Sequence, residues 1–257
     1  MDLNLNGKSV LISGGSRGIG QSCAQAFLEE GARVAIIGRR ESSVAAALGG
    51  LPGAIGIAAD LRIEAEAAAA LVSIERQLGL IDILVNSAGA AQRTLPEDLT
   101  PAFWREAMDA KYFTYIHLID PAIKAMAARG AGVIVNIIGT GGKRPVASHL
   151  PGGAANAALM LATAGLGAAY AAAGVRVIGL SPGITNTDRV RDAAGVVARG
   201  KGLSVEAVMA ELAAESPAGR FSEPDEIAAA VLFLASDRAP TLTGTVVTVD
   251  GAASATI

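Results

Sequence analysis

The stretch KSVLISGGSRGIG, residues 8–20, decides the fold. It opens with the apolar run Val10-Leu11-Ile12, which is of strand length. It then turns through Gly14, Gly18 and Gly20 into an alanine-rich helical stretch that lasts to Glu30. Glycines between a strand and a helix let the backbone turn tightly and approach a phosphate. The start of the helix offers N–H groups that have no partner inside it. Gly14, Ser16, Arg17, Gly18, Ile19 and Gly20 are therefore candidate contacts to a nucleotide. A glycine turn alone is weak evidence; its place between strand and helix gives it weight.

The same alternation continues along the chain. Strand-like runs lie at 33–37, 54–58, 81–85, 132–138, 175–180 and 245–249. Helical patterns cover 62–77, 101–128, 205–214 and 224–235. Repeated strand–helix alternation implies parallel strands joined by crossover helices, hence an α/β, Rossmann-type doubly wound sheet. No linker or internal repeat interrupts residues 1–257, so a single domain is expected. The least regular stretch, 182–202, is expected to be a mobile loop over a ligand, within a substrate segment reaching about 215.

Composition narrows the function. The net charge is −3 and the basic residues are scattered, with only short pairs at Arg39-Arg40 and Lys143-Arg144, which argues against nucleic acid. The single cysteine, Cys23, excludes an internal disulfide and fits a reducing compartment. The N-terminus lacks the pattern of a signal peptide. The most apolar long stretch, 152–177, is mostly alanine and glycine and is interrupted by Asn156, Thr163 and Tyr170. It is expected to be a helix packed against protein on several sides rather than a membrane span. The expectation is a cytoplasmic protein with a small-molecule substrate and no membrane or nucleic-acid partner.

Three further segments give the chain a likeness. NSAG (86–89), SPG (181–183) and LTGTVVTVDG (242–251) follow SGGSRGIG (13–20) in the order and spacing found in short-chain dehydrogenases/reductases, and the chain resembles that family along nearly its whole length. The resemblance implies hydride exchange between a nicotinamide cofactor and a carbonyl/alcohol pair. It places Asp60 and Leu61 beside the adenine, and Asn86, Ala88 and Gly89 in the central sheet beside the ribose. Pro182, Gly183 and Thr187 fall where the family holds the carboxamide. An acid at the end of the second strand would favour NAD(H) by binding the ribose hydroxyls. Here Gly38 is followed by Arg39, and Arg17 lies in the glycine loop, so NADP(H) is expected, with NAD(H) the alternative. The resemblance also implies a homo-oligomer, in particular a tetramer. No metal is expected.

The family's catalytic residues are absent. Its serine, tyrosine and lysine positions hold Gly139, Gly152 and Asn156, and the asparagine of its long helix is Lys111. Lysine and asparagine are thus exchanged between two helices. If those helices pack side by side, Lys111 can return an ammonium to the same pocket from the other wall. Candidate acid–base groups are Lys111 and His149, with the hydroxyl of Thr140 and the amide of Asn156 beside them. Three readings stay open: an NADP(H)-dependent oxidoreductase with a rebuilt acid–base group, a non-redox lyase or isomerase on the same frame, and a nucleotide-binding protein without turnover.

Overall fold

The computed structural model describes residues 2–89 and 92–254. The opening apolar run is β1 (Ser9–Ser13), and the glycine turn leads into α1 (Gly18–Glu29). There follow β2 (Arg33–Gly38), α2 (Glu41–Leu48), β3 (Ile55–Ala58), α3 (Glu64–Leu78) and β4 (Ile83–Asn86). The second half holds α4 (Pro101–Ala107), α5 (Thr114–Arg129), β5 (Gly132–Ile137), α6 (Leu150–Tyr170) and β6 (Val175–Pro182). It ends with α7 (Asp188–Lys201), α8 (Val205–Ala214), α9 (Pro224–Ala235) and β7 (Val246–Val249).

The seven strands form one sheet in the order β3-β2-β1-β4-β5-β6-β7, and every pairing is parallel. The expected doubly wound architecture is present. Successive side chains of a strand point to opposite faces, and here both faces are buried. Val10, Ile12, Val34 and Ile36 pack with Phe27 of α1 and Val231 of α9. Leu11, Ala35, Ile37 and Leu84 pack on the other face with Ile74 of α3, Leu118 of α5 and Leu159 of α6. Full burial of each such side chain contributes about 1.5–3 kcal/mol. Cys23 lies in the first of these layers, where burial pushes its thiol up to about 12.

The winding reverses between β1 and β4. The chain steps outward from β1 to β2 and β3, then returns to build β4 to β7 on the other side. Their carboxyl ends diverge there into a crevice, the usual ligand site of such sheets.

Two expectations are corrected. Residues 182–202 are not an irregular loop. Strand β6 runs to Pro182, and most of the remainder is α7, whose Ala194 and Ala198 bury one turn apart against Val208 of α8. The helical pattern at 101–128 is real but interrupted. Between α4 and α5, residues Met108–Phe113 form a π-helical turn, which rotates the side chains there relative to a regular helix.

Most of the apolar stretch 152–177 is helix α6, as expected, but the stretch ends in β6, and only part of the helix surface is covered. Among its buried residues are Ala155, Asn156, Leu159 and Thr163, on the side that packs on the sheet and the π turn. Ala154, Ala157, Leu161, Gly165 and Ala168 form an exposed stripe at helical spacing.

Candidate active site

The crevice at the β1/β4 switch point is shaped by glycine. Gly14 has φ +70°, and a Cβ there would lie 2.8 Å from the Ala88 Cα. A Cβ on Gly20 would run into the Gly14 carbonyl oxygen, so the loop closes against α1 only without side chains. Helix α1 begins at Gly18 with no side-chain cap, leaving first-turn N–H groups facing the crevice. Beneath it runs a buried polar chain. Ser13 Oγ donates to Asn86 Oδ1 (3.2 Å), Asn86 Nδ2 to Asn136 Oδ1 (3.0 Å), and Asn136 Nδ2 to Thr163 Oγ1 (3.0 Å). It ties β1, β4 and β5 to α6 and satisfies groups that would be costly to bury alone.

Most of the expected nucleotide contacts meet in this crevice. Gly14, Ser16, Arg17, Gly18 and Ile19 line one end together with Arg39, Asp60 and Leu61. Ala88, Gly89, Pro182 and Thr187 complete the lining, with Thr187 Cγ2 standing 3.3 Å from where a Cβ on Gly18 would lie. Gly20, Asn86 and Gly183 stand behind the lining: Gly20 supports the loop, Asn86 belongs to the polar chain, and Gly183 lets the backbone approach Asp250. A long groove with an uncapped helix start, arginines at one end and small residues along its floor fits a dinucleotide. Asp60 is engaged by Arg62 at 2.5 Å, and that hydrogen bond holds its carboxyl below the usual range. No acid stands at the end of β2, where Gly38 packs against Val44 and Ser16.

Lys111 forms the opposite wall. The π turn carries it, and its Nζ donates to the Tyr115 hydroxyl at 3.4 Å while lying 5.1 Å from the ring centre. Tyr115 is fully buried, and its O–H donates to the Ile137 carbonyl at 2.7 Å. Burial, reinforced by the Arg189 charge, lowers the Lys111 ammonium to about 8. Burial pushes the Tyr115 phenol upward, so it stays neutral. Sequence reasoning passed over Tyr115. Its signal was present: Lys111 and Tyr115 are four apart, the spacing that puts ammonium and phenol on one helix face.

The remaining candidates lie to one side of the crevice lining. Thr140 opens a short turn after Gly139 whose carbonyl accepts the Lys143 and Arg144 N–H groups. Asn156 is buried, and a Cβ at Gly139 would stand 3.1 Å from its Nδ2. Its Oδ1 has no partner among the described residues. α6 packs on the π turn, so Lys111 and Asn156 do come from adjoining elements, although no hydrogen bond joins them. His149 is half-buried at the start of α6, and its Nδ1 also lacks a partner among the described residues. Burial first, then the charges of Arg93, Lys111 and Arg189, lower its pKa and keep the ring neutral near pH 7.

Arg189 was also missed. It lines the crevice two residues after Thr187, on the stretch first read as loop.

Comparison with known proteins accords with this geometry. Residues 14–253 match the family model described as enoyl-(acyl carrier protein) reductase. The chain is 34% identical over 98% of its length to 3alpha-hydroxysteroid dehydrogenase of Mediterraneibacter gnavus, of which it covers 99%. It is 35% identical over 99% of its length to 2-(S)-hydroxypropyl-CoM dehydrogenase 3 of Xanthobacter autotrophicus, covering all of that protein. The crystal structure of L-sorbose reductase from Gluconobacter frateurii with NADPH and L-sorbose superposes with a TM-score of 0.95, at 26% identity and full coverage of both chains. A nucleotide crevice at the switch point of a seven-stranded parallel sheet, with these matches along its whole length, makes this chain a member of the short-chain dehydrogenase/reductase family.

Proposed function

We propose that the protein is an NADP(H)-dependent oxidoreductase for a carbonyl/alcohol pair, in which Lys111 takes the acid–base role. The carrying observation is the placement of Lys111: an ammonium on the wall of the nucleotide crevice, held by a buried tyrosine, with a pKa brought down to about 8. Relatives named as dehydrogenases and a neighbour solved with NADPH support the reaction class and the cofactor.

When bound, the nicotinamide supplies or accepts the hydride. The rest falls to this chain. Arg39 and Arg17 would hold a 2′-phosphate by charge-assisted hydrogen bonds, and the start of α1 would hold the pyrophosphate. In the reducing direction the Lys111 ammonium donates its proton to the carbonyl oxygen as that oxygen gains charge. In the oxidising direction the neutral amine takes the proton back from the alcohol. A pKa near the working pH suits both directions. Tyr115 is a positioning residue: its own proton is committed to the Ile137 carbonyl, and its oxygen orients the ammonium. His149 is the weaker acid candidate, because burial and three neighbouring cations keep it neutral.

Calorimetry with NADPH and NADH, followed by a turnover screen over aldehydes, ketones and alcohols, tests the reading. Tighter NADPH binding with turnover removed by Lys111→Met supports it. Turnover that survives Lys111→Met would overturn the assignment of the acid.

A further inference from the structure

Near Lys111 the crevice wall gathers positive charge that the cofactor reading does not use. Arg189 lines the crevice and is exposed to solvent, yet the surrounding protein lowers its pKa by desolvation, as expected for a cation in a concave site. Arg93 approaches from the loop after β4, where its Nη1 donates to Ser148 Oγ at 3.3 Å. The Thr94 N–H donates to the Ser148 carbonyl at 3.0 Å, so this loop is fastened to the turn that carries His149. Arg189 and Lys111 line the same crevice, the π turn that carries Lys111 packs on α6, and His149 stands at the start of α6 next to the Ser148 that Arg93 engages, so these groups converge on one region and their charges act on His149.

No carboxylate among the described residues pairs with any of these three cations, although five ion pairs form elsewhere. Asp188 lines the same crevice without pairing with its neighbour Arg189. Like charges held together repel one another and cost stability. In the same place two buried polar atoms, Thr94 Oγ1 and His149 Nδ1, have no partner among the described residues. Three cations without a carboxylate partner, beside two polar atoms without a hydrogen-bond partner, all among the described residues, offer an oxyanion charge and hydrogen bonds together.

We propose that Arg189 and Arg93, with His149 and Thr94, bind a carboxylate-type anionic group of the substrate, so that its carbonyl or alcohol meets Lys111. The substrate class is then a small oxo acid or hydroxy acid. Only the identity of the reacting group rests on the oxidoreductase reading; the anion site stands on its own geometry. The competing source of an anion is the cofactor pyrophosphate, because Arg17 of the glycine loop also acts on Arg189.

Two measurements separate these cases. The first is calorimetric titration of the NADP⁺-saturated protein with benzoate, for the native chain, Arg189→Met and Arg93→Met. Both arginines are exposed, so neither change removes core packing. Millimolar or tighter binding is expected in the native protein, weakened at least tenfold in each variant, with the NADP⁺ affinity of each variant within threefold of native. No benzoate binding by the native protein overturns the proposal. So does a loss of NADP⁺ affinity in Arg189→Met that matches its loss of benzoate, since the arginine would then serve the cofactor. The second is turnover of levulinate and 4-formylbenzoate against their methyl esters. The acids should be preferred at least tenfold in kcat/KM by the native enzyme, and that preference should disappear in Arg189→Met. Equal turnover of acids and esters by the native enzyme overturns the proposal. Benzoate binding with no carbonyl turnover would keep the anion site and refute the oxidoreductase reading.

Discussion

A cation on the wall of a crevice has chemistry that its surroundings set, and Arg39 and Lys111 show two ways of setting it. Arg39 is exposed at the end of β2, beside a glycine where an acid would discriminate against a 2′-phosphate. Exposed on the crevice lining, it is placed for the proposed recognition of that phosphate. Arg39→Asp should cost NADPH binding about ten- to a hundredfold, the worth of one charge-assisted hydrogen bond, and should raise the relative affinity for NADH. Calorimetry on both cofactors checks this; unchanged NADPH affinity would remove Arg39 from the site. Lys111 is held between the π turn and Tyr115, where desolvation makes its proton easier to lose. The sign for stability follows. Burial penalises the charged form, so the penalty is full below pH 8 and relaxes as pH rises from about 8 toward the unfolded value of 10.5. Lys111→Met should therefore be tolerated or stabilising at neutral pH, a rise in Tm that thermal denaturation would detect.

At the scale of elements, under our proposal the long helix and α6 exchange a lysine and an asparagine. In the resemblance the long helix gives an asparagine and α6 gives tyrosine and lysine; here the long helix gives Lys111 and Tyr115, and α6 gives Asn156. The quadruple change Lys111→Asn, Gly139→Ser, Gly152→Tyr and Asn156→Lys should yield a carbonyl reductase whose rate no longer titrates near pH 8. Gly139→Ser alone would crowd Asn156, since the added Cβ meets its Nδ2 at 3.1 Å. A folded, NADPH-binding quadruple variant with no reductase activity would show that more than these four positions has changed. Which parts the sequence disclosed has a physical basis. The buried strands announce themselves by apolar runs, and the glycine loop by the backbone it must form. Helix α7 was hidden because Gly195 and Gly200 break its pattern, although Ala194 and Ala198 carry its buried face. The Lys111–Tyr115 pair is inconspicuous because the resemblance places its tyrosine and lysine on α6, away from the long helix. The convergence of Arg93 and Arg189 joins segments nearly a hundred residues apart, and no local pattern announces such a meeting.

At the scale of the molecule, one surface and one crevice carry the remaining expectations. The stripe on α6 leaves Leu161 77% exposed among alanines and glycine, a flat apolar face that permits close approach of a second copy. Light scattering at micromolar concentration should find a homo-oligomer, a tetramer by the family resemblance. Leu161→Arg should lower its mass, and a native monomer would contradict the expectation. The crevice poses the main question, whether Lys111 supplies the proton in this dinucleotide frame, as we propose. The most direct test is the pH dependence of carbonyl reduction in a single turnover at saturating NADPH, for the native enzyme and Lys111→Met. The native rate should be level at low pH and fall above an apparent pKa near 8, as the ammonium loses its proton. The variant should be slower by about 10²–10⁴-fold and lack that titration. A Lys111→Met enzyme that keeps the native rate and the native profile would contradict the account.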